Sequence, residues 1–556
     1  MISKVGQTLV MLLMVSVWAV SAAPLKAAEP ICVFKNPVLL QGADPSVIFH
    51  NDFYYLVQSN NADFSIGLRK SATLTGLTDA ENVKIWVAPP NTEYSRNIWA
   101  PEIQVLDDGL YIYFAADDGN NDNHRMYTLK ATTDDPLGAW EFVGPIFTTP
   151  ELDKWAIDLS VFEHNDQLYG VWSGSDGDEA GATFPQVLYI AAMSDPLTIA
   201  SDRVKILTPT ESWETSEAAI AEGPQPFVYN DTVSIVYSAN ASWTRHYNLG
   251  LLVLEGDDPL DPDAWTKVGS VFAETITDEG AVYGLGHNSI PVTSPDGTEW
   301  WNVYHAMDNP DDGWEGRDIR IQKMTWNDDG TPNFGTPIPE TVAQSVPSGE
   351  PCGLQAHLNF DTEPLVDQNN EPLIIEGNPT FAEDAFHEND TAVEMNGDDL
   401  LDLGRPAVNT TGSYTVMVDV MLVDAIGDYT FVAQEGGLNS AFRLHTTEDG
   451  HFAFTTYKPL GGVAAQALSE EVFEMRRWYR LAGVRDAMAG TITLYVNGEL
   501  AATAPLTEDF RTVGSVVMGV AREKGKRVHF LIGIIDDVML YNGALTAEDV
   551  AALVER

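Results

Sequence analysis

Basic side chains are scarce in this chain: 30 lysines and arginines stand against 82 aspartates and glutamates, a formal net charge of −52. Nucleic-acid binding needs a cationic footprint, so that class is excluded, and an anionic membrane surface would repel such a chain. The acidic residues are spread along the whole length without long runs, and they read as a solvated coat, as in proteins from salty water. Long apolar runs are scarce too. Beyond residue 23 no segment approaches the ~20 apolar residues of a membrane-spanning helix, so no membrane insertion is expected. The start differs: MISKVGQTLVMLLMVSVWAVSAA has Lys4, an apolar run from about Leu9 to Val20, then small residues. That is the pattern of an export signal, assigned to residues 1–28 with cleavage between about Ala22 and Ala28. The mature protein is expected to be secreted or periplasmic. Cysteine is nearly absent. The two present, Cys32 and Cys352, can form a disulfide in an exported protein and would tie together the ends of the segment between them; two unrelated thiols are the alternative.

What is present is a repeat. The stretch GADPSVIFHNDFYYLVQS, from Gly42, is an aspartate followed by a strand, an Asn-Asp turn and a second strand. The pattern returns in APEIQVLDDGLYIYFAADDG, IDLSVFEHNDQLYGVWSG, EGPQPFVYNDTVSIVYSAN and GHNSIPVTSPDGTEWWNVYHA. Each unit opens on an ionisable residue: Asp44, Glu102, Asp158, Glu222 and His287, at steps of 58, 56, 64 and 65 residues. One sheet per repeat at this period predicts a five-bladed β-propeller, expected over residues 29–349. Its radial symmetry would bring all five openings to one axis. A β-solenoid is the rival, but its repeats are usually much shorter.

After PNFGTPIPETVAQSVPSGEPCG, a Pro- and Gly-rich boundary, short alternating strands such as YTVMVDVML and TITLYVNGEL follow, with an Asn497-Gly498 hairpin turn. Residues 350–556 are expected to form an antiparallel β-sandwich of jelly-roll type, so the fold class is all-β.

Two carboxyls facing one pocket can divide acid and base work, and glycoside hydrolysis is the commonest chemistry so equipped. One must be ionised to take a proton from water, and the other protonated to release the leaving oxygen. A third carboxylate beside the acid raises its pKa by like-charge repulsion. Asp44, Asp158 and Glu222 fit such a trio. Singly each is also an ordinary turn or cap residue; their repetition points to chemistry. Trp99 offers either a face for a sugar ring or core packing. The loop DDGNNDN, from Asp117, lacks the spacing of a calcium-binding loop and reads as a turn-rich loop near the pocket.

The ordered segments ADPSV, NIWAPEI, AIDLSVF, AEGPQPF and GLGHNSI, with FAADDGNNDNHRMY and YSANASWTRHYNLGLL, resemble glycoside hydrolase family 43 over about three hundred residues. The resemblance implies a five-bladed propeller that cleaves arabinose- and xylose-containing polysaccharides with inversion and needs no cofactor for the chemistry. It implies Asp44 as general base, Asp158 as pKa modulator and orienting group, and Glu222 as general acid. It also implies Arg320 as a sugar contact, with Arg317 left at the surface, and Glu102 as a supporting carboxylate at the blade-two equivalent of the other openings. His287 matches a histidine near the axis that often helps hold a structural Ca2+ or its waters. Leu159 and Ser160 depart from the small residue and Thr that relatives carry after the second Asp. The stretches WYRLAGVRDAMAGTITLYVNGEL and IGIIDDVMLYNGALTAEDVAAL resemble laminin G-like, concanavalin A-like sandwiches, for which packing or support is expected. The expected activity is removal of terminal α-L-arabinofuranosyl units; a β-D-xylosidase or endo-arabinanase, and a non-catalytic carbohydrate-binding protein, are the alternatives.

Overall fold

A computed structural model describes residues 32–554, except 60–62, 151–152, 177–184, 362–363, 368, 384–390 and 425. The export signal lies outside the described residues. No helix among those described is long and apolar enough to cross a membrane.

The first part of the chain forms five antiparallel sheets of four or five strands, each a blade. Their first strands are Ser46–His50, Arg96–Leu106, Ala156–His164, Ala221–Tyr229 and Gly280–Thr293 (the last preceded in its sheet by the short Thr275–Thr277). These strands touch in sequence around a ring, with that of blade five returning to that of blade one. Every blade is covered on both faces, which explains second strands such as Gly109–Asp117 that are apolar almost throughout. Each seam between blades has its own core. Tyr55 and Ile66 meet Ile112 and Phe114 between blades one and two, and Tyr54 and Leu56 meet Trp301 and Val303 where blade five closes on blade one. Burying one such side chain contributes about 1.5–3 kcal/mol.

Closure also uses the two ends of the propeller segment. Val33–Phe34 pairs with Gln344–Ser345, Leu39 bridges to Ile319, and Cys32 is bonded to Cys352, as expected.

The register of the first strands corrects the sequence reading. Those of blades two to five carry β-bulges, at Trp99/Glu102, Ile157/Ser160, Glu222/Gln225 and Gly286/Ser289. Within them the left-handed residues are Ala100, Asp158, Gly223 and His287, and Asp44 adopts the same conformation just ahead of its strand. Ala100, not Glu102, is therefore the blade-two equivalent, and Glu222 sits one residue ahead of its own. A bulge inserts a residue and re-aims the side chains around it.

The remainder forms an eight-stranded and a seven-stranded antiparallel sheet sharing one core, in which Val416 and Val418 of one meet Phe431, Phe442 and Phe454 of the other. Asn497 and Gly498, at φ 51° and 80°, make the expected hairpin turn. Arg511 pairs with Asp79 at 2.9 Å and joins this part to the propeller.

Candidate active site

The first-strand openings surround a cavity of about 410 Å³ at the propeller axis. Asp44, Asp158, Glu222 and His287 all line it, drawn from four blades. Trp99, Trp155, Trp243, Trp314 and Arg317 complete much of the wall.

Asp44 is surrounded by cationic and polar groups. Arg317 Nη1 stands 3.1 Å from its Oδ1, and His287 Nδ1 stands 3.6 Å away. Burial opposes ionisation, but Arg317 and then His287 outweigh it and hold the carboxyl well below the ordinary range. His305 also lies 3.4 Å from Oδ1, yet it is not an ionic partner. Its Nδ1 accepts the Asp44 backbone N–H at 3.1 Å, so that nitrogen carries no proton. Burial, with Arg317 nearby, drives the His305 pKa well below the usual imidazole value.

Glu222 has the opposite environment. Burial and then the charge of Asp158 push its pKa up to about 8, against a hydrogen bond donated by Tyr247 at 2.9 Å. Tyr247 lies stacked on His305, centroids 5.5 Å apart and planes 5° apart. Asp158 is pushed up to about 6, chiefly by burial, while His287 and the Gly223 N–H, donated at 2.8 Å, favour its charge. Asp158 thus anchors the backbone beside Glu222. One pocket accordingly holds an ionised carboxylate and a protonated one near neutral pH, the pair that acid–base chemistry requires.

His287 bridges the site. Its Nδ1 faces Asp44, and its Nε2 meets Glu102 Oε1 at 3.0 Å. Burial disfavours its charge, but Asp44, the Glu102 bond and Asp158 raise its pKa to about 10. Both ring nitrogens of His287 face carboxylates, Asp44 and Glu102, so it stands as a bridge between them rather than as a ligand aimed at an open site. Among the described residues no cluster of three or more His, Cys, Asp or Glu side chains could hold a metal ion. Glu102 is the supporting carboxylate expected: it is 2% exposed and also accepts from Gln225 Nε2 at 3.1 Å.

The two arginines exchange roles. Arg320 is buried and pairs with Asp308 away from the cavity wall, so it does not fit the sugar-contact expectation. Arg317, expected at the surface, lines the cavity and touches Asp44. Trp99 lines the cavity half-buried, stacked on His124 at 4.2 Å. The DDGNNDN loop does reach the pocket, through Asn121, whose carbonyl accepts the Trp155 indole N–H at 2.8 Å. The sequence reading missed Trp155, Trp243, Trp314 and Tyr247. Only their clustering near the quoted motifs could have signalled them.

The sequence profile of the glycosyl hydrolases family 43 matches residues 34–332, and that of the concanavalin A-like lectin/glucanases superfamily matches residues 395–551. An extracellular exo-α-(1→5)-L-arabinofuranosidase of Streptomyces avermitilis is 35% identical over 326 residues, 57% of this chain and 66% of that protein. A namesake from Streptomyces chartreusis is 31% identical over 294 residues, 52% of this chain and 87% of that protein. The match therefore spans just under two thirds of the first of these relatives. The crystal structure of an α-L-arabinofuranosidase from Lactobacillus brevis superposes with a TM-score of 0.50 and 34% identity, over 55% of this chain and 98% of that one.

Proposed function

The chain belongs to glycosyl hydrolases family 43, and from that premise we propose that it is an exported, secreted or periplasmic, inverting exo-α-L-arabinofuranosidase acting on arabinose-containing polysaccharides or oligosaccharides. One observation carries the reading: Asp44 and Glu222 line a single cavity and are pushed in opposite directions, the first towards ionisation and the second towards protonation. The names of the relatives at 35% and 31% identity support the sugar and the exo action.

In the reaction, Asp44 takes a proton from water as the water oxygen bonds to the anomeric carbon. Glu222 gives its proton to the departing glycosidic oxygen as that bond breaks, so protons balance and the anomeric centre inverts. Asp158 keeps Glu222 protonated by its charge and in place through Gly223. Arg317 keeps Asp44 ionised. Trp99 borders the sugar. Residues 29–349 form the catalytic unit, and the sandwich supports it.

Hydrolysis of p-nitrophenyl α-L-arabinofuranoside and β-D-xylopyranoside, with Glu222→Gln as control, tests this. Selective loss of the arabinoside, abolished in the variant, is expected. A preference for the xyloside moves the substrate to a β-D-xylosidase. Silence on both, and on arabinan, points to a carbohydrate-binding protein.

A further inference from the structure

Two tryptophans meet at the mouth of the cavity. Trp243 lies in the loop between the strands Thr232–Ala239 and Asn248–Leu254 of blade four, and Trp314 in the turn Gly313–Gly316 of blade five. They are 42% and 56% exposed, whereas Trp155 in the same cavity is 1% exposed. Their rings stand edge to face, centroids 5.3 Å apart at 74°. Such exposed indoles add nothing to a core, and a joined pair at a pocket mouth marks a binding surface. The pair is held in place: the Trp314 indole N–H donates to Ser242 Oγ at 3.1 Å, and its carbonyl accepts from Arg317 Nε at 3.2 Å. The two loops also lead inward. Blade four's carries Tyr247, which donates to Glu222, and blade five's ends at Arg317, which touches Asp44.

We propose that Trp243 and Trp314 form a platform for the leaving sugar, so that the enzyme favours arabinofuranosyl units linked to another sugar over those linked to a small group. Sugar rings present weakly polar C–H faces that pack on indole. A platform contiguous with the cavity, on the loops that hold Glu222 and Asp44, places the second sugar where binding energy is felt at the reacting bond. This rests on the function proposed above.

The test is the ratio of kcat/KM on α-1,5-linked arabinobiose to that on α-L-arabinofuranosyl fluoride, whose leaving group is too small to reach the rim. Trp314→Ala and Trp243→Ala are expected to lower the ratio about tenfold, the size of one good aromatic contact, and Trp314→Phe to restore much of it. A ratio within twofold of wild type in both alanine variants, whatever the absolute rates, overturns the platform while leaving the arabinofuranosidase reading intact. A wild-type enzyme that turns over neither substrate overturns that reading, and the platform with it.

Discussion

Asp158 reaches Glu222 through the backbone: its carboxylate accepts the N–H of Gly223 at 2.8 Å, the residue just after Glu222. It therefore has two separable effects, placing Glu222 by the hydrogen bond and raising its pKa by charge. Asp158→Asn keeps an acceptor oxygen and removes the charge. The Glu222 pKa then falls, and because the acid works only while protonated, the alkaline limb of kcat/KM moves to lower pH. A pH–rate profile checks this, with a loss at the optimum of about tenfold to a hundredfold expected.

Gly223 tests the placement without changing a charge. Its φ is +54°, and an added Cβ would stand 3.0 Å from His287 Nδ1. Gly223→Ala strains the bulge and pushes on the residue that bridges Asp44 and Glu102. A fall in kcat of about a hundredfold, with KM little changed, is expected from steady-state kinetics.

The arginine exchange yields a paired prediction. Arg317→Ala removes the cation beside Asp44, whose pKa then rises. A base is active only when ionised, so activity is lost as pH falls through that higher value, and the acid limb moves up. A loss of about a hundredfold is expected at mildly acidic pH. Arg320→Ala instead leaves Asp308 without its buried partner, and should lower thermal stability while leaving the acid limb in place.

How much of this was legible follows from what the residues encode locally. The five blades were readable because each hairpin carries its own Asn, Asp or Gly turn and its own pair of strands. The exact openings were not: a bulge adds a residue without a compositional mark, so Glu102 looked equivalent to Asp44 when Ala100 is. Arg320 lies in IRIQKMTW, a strand buried on both faces, where alternation cannot separate a pocket wall from a seam between blades. Arg317, Trp314 and Trp243 sit in loops whose meeting across blades no local pattern records. The pairing of Cys32 with Cys352 was legible because the sequence offers no other partner.

Burial of Glu222 in protonated form also shapes stability. Its folded pKa, about 8, lies above its ordinary 4.5, so the native state binds a proton that the unfolded chain releases between those values. Stability contributed by that proton declines as pH rises from about 4.5 to 8. Glu222→Gln removes the ionisation, so it should be inactive yet melt higher than wild type at pH 9, by about 1–2 °C for each kcal/mol recovered. Melting curves at pH 5 and pH 9 decide it; equal differences at both would remove this account of the acid.

The bond from Cys32 to Cys352 spans 320 residues and clasps the ring where its ends meet. Replacing both cysteines by serine is expected to cost about 2–5 kcal/mol, read as a lower melting temperature with the pH–rate profile unchanged.

Asp44 activates water and Glu222 protonates the leaving oxygen, and the anomer first released reports on that division of labour. Proton NMR during hydrolysis of an α-L-arabinofuranoside should show β-L-arabinofuranose appearing before the anomers equilibrate. The α-anomer appearing first would mean retention through a covalent intermediate, with Asp44 as nucleophile, and would contradict its role as the base that activates water.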